Sequence, residues 1–573
     1  RVEVLRGPQP ILFGKNSIAG AVSLVTAKPG EEFEGSAQVL YEPDADEQDY
    51  RFVVGGPLGE TLSGRLSVLY REMDGWVENA AVGNRDETQE DEQVVRLGLY
   101  WQASDDLGVH FKYENAQFDT EGRNIELVND IVGEWVPPGT GSSYLTALPR
   151  FVANLNALID AGARTGPKIT SFVPDDGEYN DKRTAGAWDT SENDVDNFLF
   201  DANYEWCDHT LSFVTGYVEY DTSETYDVDY TAAPILDDSR LSEDYDQFSQ
   251  EIRLTSPGGE TVDYIVGAFY QDSSLDFGDS INVPTDSLLR LLANPFAGIS
   301  TRRVFEQDTE VWAAFGQATW NVTEAWRLIL GARYTQEDKD GYRKQAHFDT
   351  AGLEVPATDP RTGLYNVLWG RLAIEPNLLE DSRSEDAFTP QLILQWDATG
   401  DLMLYASYVE GFKSGGYDNR SNAHPDPAVV VPGTGPNVVG AWEFDKEEAT
   451  SFEVGFKSTL ADGAAELNGA LFYTEYDDLQ TSVFDGVVGF NVQNAGKATT
   501  QGMELDGRWL LHEYFTLSGS LGYLDFEFDD FDVAQCWFGQ AQLEPDRVTN
   551  AALSQCDASG ERKEFTPEWK GVV

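Results

Sequence analysis

The chain has 573 residues, and 39 Lys and Arg against 100 Asp and Glu leave a formal charge of −61. That balance excludes nucleic-acid binding through phosphate contacts, which need clustered Lys and Arg, while 14 Trp, 25 Tyr and 31 Phe argue against an acidic disordered chain. No apolar run reaches the ~18 residues of a membrane helix, and Cys207, Cys536 and Cys556 make neither a disulfide scaffold nor a Cys-x-x-Cys metal pair.

From the N-terminus, residues 1–29 do not read as barrel wall. Arg1-Val2-Glu3-Val4-Leu5-Arg6-Gly7-Pro8 runs into Leu12-Phe13-Gly14-Lys15-Asn16-Ser17-Ile18-Ala19-Gly20-Ala21-Val22-Ser23-Leu24-Val25-Thr26 and closes at Lys28-Pro29. The first residues have no charged start, apolar core or cleavage site, so they are not a signal peptide, and the chain reads as beginning within a longer protein. Gly7 and Gly14-Lys15 superficially suggest a phosphate-binding loop. Six residues separate those glycines where four are needed, and Asn16 stands in place of Ser or Thr, so that reading is rejected.

From residue 30 onward the dominant signal is period-two alternation, the mark of strands with one polar and one apolar face. It is clear in 64–70, 96–102, 452–460 and 503–509; Glu453, Gly455, Lys457 and Thr459 share one side, as do Glu504, Asp506 and Arg508. About 18 strand-like segments can be counted in 34–573. Short polar turns, such as Cys207-Asp208-His209 and Ala461-Asp462-Gly463, alternate with long polar stretches at 121–192, 276–303, 339–382, 415–443 and 530–560. Hairpins with one tight end and one elaborate end characterise outer-membrane barrels. Trp101, Trp206, Trp320, Trp326, Trp396, Trp509, Tyr514 and Phe515 lie near the short turns, as an interfacial girdle would. Within the long stretches, Leu145–Ala161 and Ser287–Leu292 read as helical. The acid load gathers in the expected loops, notably 222–246, and reads as a solvated surface suited to salt water or to divalent cations bridging lipopolysaccharide.

Residues 1–29 resemble the end of the plug domain of TonB-dependent outer-membrane transporters. The matching pattern is a strand, an Arg6-Gly7-Pro8 turn, a Leu12-Phe13-Gly14 step, a small-residue turn reaching Gly20 and a second strand ending at Lys28-Pro29. It departs at Pro10-Ile11, where a small or polar pair is usual, and at Ala19, where Gly is usual. Leu404–Gly416 resembles the family's outgoing strand and loop entry. Ser451–Lys457 and Gln501–Leu505 resemble two late-strand signatures, with Lys446-Glu447-Glu448 in place of the usual Lys-Pro-Glu.

The resemblance implies an all-β, large antiparallel transmembrane barrel of the 22-stranded kind. Residues 1–29 would be the C-terminal part of the plug, and 30–573 a barrel incomplete at its C-terminus. The implied function is active transport of a scarce solute across the outer membrane of a Gram-negative bacterium, with a ferric siderophore as the lead ligand. Vitamin B12, a carbohydrate and haem are alternatives within the class; a passive porin and a secreted β-rich binding protein are alternatives outside it. Implied partners are TonB, whose recognition segment is missing here, outer-membrane lipid and lipopolysaccharide, and a small-molecule substrate. No nucleic acid, cofactor or resident metal is expected, and the chain is expected to be a monomer.

Family members set plug arginines against glutamates of the inner wall, which maps onto Arg6, Glu453 and Glu504. The alternation independently puts both glutamates on the polar side, where they would either latch the plug or merely line a wet lumen. A buried latch of this kind would cost ~3–5 kcal/mol to strip of one partner. Cys536 and Cys556 fall in one external loop, outside the reducing cytoplasm, and are expected to pair; Cys207 is left over. Catalysis is not expected: the histidines show no metal-ligand spacing, no Gly-x-Ser-x-Gly elbow exists, and carboxylate pairs are too numerous to single one out. His424 lies where haem-transporting relatives place an axial ligand, but the flanking motifs are absent.

Overall fold

The computed structural model describes the chain except for residues 81–84, 127–180, 184–188, 229–235, 286, 288–297, 357, 363–364, 366–368, 370–373, 427–439, 485–488, 538–539 and 551–554. The expected helix at Leu145–Ala161, and all but Ser287 of the one at Ser287–Leu292, lie outside the described residues. Among the described residues, 18 antiparallel strands make one barrel wall, from Glu34–Glu42 round to Trp569–Val572. Each strand pairs with the next wall strand in sequence. The 18 strands form one closed barrel. No helix among the described residues is long and apolar enough to cross a membrane.

The wall forms because alternate residues have different partners. In Thr190–Trp206, Phe198, Phe200, Tyr204 and Trp206 stay exposed on the outer side, and Asp201 on the other side meets the N-terminal segment. An exposed apolar band on this scale is stable only against hydrocarbon. The tight ends follow from local backbone chemistry. Cys207 (φ 50°) and Asp208 (φ 66°) are both left-handed, the geometry of a two-residue hairpin whose twist matches its strands, and Trp206 pairs directly with His209. Trp326 and Trp396, in register beside another short turn, stack with ring centroids 5.2 Å apart.

The strands run far past a bilayer. Val262–Asn282, Ser300–Asn321, Trp326–Phe348 and Asn377–Thr399 have 21, 22, 23 and 23 residues, about twice the ~10 that a crossing requires. This corrects the expected loops. The ends of 276–303 and 339–382 are ladder, at 276–282, 300–303, 339–348 and 377–382, and within 222–246 residues 222–226 and 237–246 belong to the strands His209–Tyr226 and Asp237–Thr255. Above the bilayer both faces of a strand are wet, so the alternation that marks a strand fades while its backbone pairing continues. On the outer side of this tall wall, Asp194, Asp221, Asp244, Asp276 and Glu306 stand directly opposite one another on five successive strands.

The first residues form a separate two-stranded unit against the inner wall. Strand β1 (Val2–Arg6) leads through a short helix α1 (Pro10–Phe13) to strand β2 (Gly20–Leu24), which returns antiparallel to β1 with Arg6 opposite Gly20. Gly20 has φ +145°, and a Cβ there would collide with the Leu5 carbonyl oxygen.

Candidate functional site: the interface between the N-terminal segment and the barrel wall

The segment touches the wall at three places. At the end of β1, Arg6 forms an ion pair with Glu504 of the Lys497–His512 strand. Glu453 does not join it. Its carboxylate accepts the Tyr405 hydroxyl at 2.5 Å, although Arg6 and Glu453 line the same cavity of about 250 Å³. The expected buried latch is corrected on a second count, because the Arg6 and Glu504 side chains are 56% and 34% exposed. Water reaches both ions, and an exposed pair of this kind contributes only about 0–1 kcal/mol.

The second contact is the stretch Pro10–Ser17, of which Pro10, Ile11, Gly14 and Ser17 are buried. Proline at the first turn of α1 supplies a preset φ and loses no needed N–H. Ile11 is 2% exposed and fits over Gly331, where a Cβ would come within 3.0 Å of its Cγ1. The unusual Pro10-Ile11 pair is thus matched by a glycine in the wall. Next, Gly14 turns the chain with φ +79° directly above Arg333; a Cβ there would lie 3.0 Å from the guanidinium. Buried Arg333 donates to the Ile11 carbonyl at 3.4 Å and lies over the Phe269 and Phe315 rings.

Lys15 then forms an ion pair with Glu337, their side chains 18% and 1% exposed. The ammonium of Lys339 lies 3.1 Å from the same carboxylate oxygen and donates onward to the Gly415 carbonyl at 2.5 Å. Asn16, left-handed at φ 65°, donates its backbone N–H to the Phe412 carbonyl at 2.9 Å and accepts the Ser414 N–H on its side-chain oxygen at 3.0 Å. A cavity of about 460 Å³ lies beside this contact, lined by Phe13, Lys15, Phe269, Arg333, Glu337 and Lys339 among others. The third contact is Lys28 with Asp201, 2.7 Å apart at the far end of the segment.

Arg6, Gly7, Pro8, Gly14 and Gly20 are therefore all in the inner segment, but the buried charge pair involves Lys15 and Glu337, which sequence reasoning missed. A signal was present. Arg333, Glu337 and Lys339 are spaced by even numbers, so a strand puts all three on its inner side; polar runs elsewhere look the same.

Outside this interface, Cys536 and Cys556 are joined by a disulfide with their Cα atoms 4.9 Å apart, and Cys207 is free and exposed. His424 is tied to the preceding external loop and to its own: its N–H donates to Glu375 at 3.2 Å and its Nδ1 accepts the Asp426 N–H at 3.0 Å. In the loop after Phe348, the backbone N–H of Leu353 and the Arg361 guanidinium hold the Asp349 carboxyl below the usual carboxylate range. No group of three or more His, Cys, Asp or Glu is placed to hold a metal ion among the described residues.

Residues 134–573 match the family model described as TonB dependent receptor-like, beta-barrel. The pesticin receptor of Yersinia enterocolitica is 23% identical over 515 residues, covering 89% of this chain and 60% of that protein. The chain thus spans well under two thirds of that relative. Among solved structures, the ferric yersiniabactin uptake receptor of Yersinia pestis superposes with a TM-score of 0.68 at 18% identity, covering 100% of this chain and 69% of the other. A siderophore receptor of Acinetobacter baumannii gives 0.65 at 14% identity, covering 100% and 73%. At these identities the two structures establish the fold.

Proposed function

The chain belongs to the TonB-dependent receptor β-barrel family, and from that premise we propose that it takes part in TonB-coupled uptake of a ferric siderophore across the outer membrane of a Gram-negative bacterium. The observation that carries the reading is the polar grip on residues 1–29. A passive channel has no use for a separate segment bound across its lumen. A segment that must move under force is best held by ion pairs and hydrogen bonds, which water replaces as it leaves, and not by a continuous apolar core. Arg6–Glu504, Lys15–Glu337 and the two Asn16 bonds fit that requirement. The siderophore class is supported by what the relatives are named for, ferric yersiniabactin among them.

In this reading residues 1–29 are the closing part of a plug, 30–573 are the wall, and the exposed aromatic belt meets lipid and lipopolysaccharide around a monomer. The substrate binds at the external loops, and force transmitted by TonB shifts the plug. The test is uptake of isotopically labelled iron, presented as a panel of ferric siderophores, by cells carrying the full-length protein. Uptake is expected to require both TonB and the proton gradient. Equal uptake without TonB would establish a passive channel instead, and TonB-dependent uptake of cobalamin or a carbohydrate alone would replace the substrate class.

A further inference from the structure

We infer that Lys15 is a positioning residue: through Glu337 and Lys339 it sets the external loop that begins at Ser414 according to where the plug segment sits. The argument starts from one carboxylate oxygen. Glu337 Oε1 receives the ammonium groups of Lys15 and Lys339 together, so two cations share a single anion at a site almost closed to water. Lys339 is itself divided, because its ammonium also donates to the Gly415 carbonyl. A carboxylate only 1% exposed demands compensation. While Lys15 supplies it, Lys339 is free to hold Gly415. When the plug segment withdraws Lys15, the whole carboxylate charge falls to Lys339, which closes on Glu337 and loosens its hold on Gly415.

What Gly415 controls is large. The next residues, Gly416–Tyr417, pair with Glu443–Phe444 across the base of the loop. Tyr417 is buried and stacks on Trp442 with centroids 4.6 Å apart. Asp418 gives its carbonyl to Arg343 at 2.8 Å and its carboxylate to the Val492 N–H at 2.6 Å, reaching a second external hairpin, Gln480–Phe484 with Phe490–Asn494. Gln480 in turn donates to the Ser414 carbonyl at 2.9 Å. The plug corner and two external loops therefore share one polar network, with Glu337 at its inner end. Among the described residues no hydrogen bond or ion pair links Arg6–Glu504, at the other end of the segment, to that network.

The purpose assigned to this linkage rests on the transport reading, but its existence can be tested without substrate or TonB. Amide hydrogen exchange is measured on the full chain in detergent micelles. Lys15→Met is expected to raise exchange at Gly416 and Tyr417 about tenfold or more, together with exchange in residues 10–17, and Lys15→Arg is expected to restore protection at both. Lys339→Met is expected to loosen Gly416 and Tyr417 while the Asn16 N–H stays protected. Arg6→Met is expected to loosen β1 and β2 and leave Gly416 and Tyr417 unchanged. Wild-type protection at Gly416 and Tyr417 in Lys15→Met would overturn the inference. If that variant does not assemble, the same result in Lys339→Met overturns it.

Discussion

The N-terminal segment meets the wall through two cation–carboxylate pairs that read alike in sequence and differ in their access to water. Arg6–Glu504 is open to the lumen, whereas in Lys15–Glu337, beside the cavity of about 460 Å³, the carboxylate is almost wholly buried. Each pair sets one cation of the segment against one carboxylate of the wall. Grip differs, because a buried carboxylate depends on its cations, whereas a wet pair contributes only about 0–1 kcal/mol. The firm hold on this segment is therefore at its middle, and the hold nearer the chain's start is the weak one.

That contrast can be broken most directly at Lys15. Lys15→Met should lower the work of extracting residues 1–24 from the wall by more than the about 1 kcal/mol of an exposed pair, with Lys339 left to hold the buried Glu337 carboxylate, read by pulling on the N-terminus in single-molecule force measurements; a smaller loss would make the two pairs equivalent. The disulfide offers a calibration away from both. Cys536 and Cys556 are 20 residues apart in sequence, and replacing both by Ser should cost about 3 kcal/mol in the external loop. Protease sensitivity of 536–556 should rise while the extraction work stays constant. Glu504→Gln should reduce the extraction work by no more than about 1 kcal/mol, and only at low salt. Glu453→Gln should leave Arg6 where it is, since Tyr405 and not Arg6 holds that carboxylate.

The smallest effect concerns neither pair. The lowered carboxyl pKa of Asp349 contributes stability that is complete above the unfolded value of about 4 and is lost as pH falls through the lower folded value. Exchange at Leu353 should therefore accelerate only below about pH 4, with Lys15–Glu337 providing an internal comparison.

The parts legible in the sequence were those where one rule acts alone. Alternation marked strands such as Phe452–Leu460 because one face meets hydrocarbon and the other water. The short turns were marked by polar residues, and the segment 1–29 by its glycines and its Arg-Gly-Pro turn. Strand length was not legible at Val262–Asn282 or Asn377–Thr399, because above the membrane nothing forces the two faces to differ. The partner of Lys15 was not legible either. Glu337 is 322 residues away, and among 100 acidic residues no local pattern separates the one that meets Lys15. Glu453 and Glu504 lie on the same inner side by the same reasoning, yet only one reaches Arg6, a choice made by the Tyr405 hydroxyl.

The five carboxylates abreast from Asp194 to Glu306 make the tall side of the wall a structure under lateral pressure. Like charges directly opposite across a ladder push their strands apart, and the push reaches as far as the medium allows, about 8 Å at physiological salt and about 30 Å in dilute buffer. The rim should thus open and tighten with the ionic content of its surroundings. Exchange along 190–310, followed against salt concentration, would read it as a barometer of the outside water.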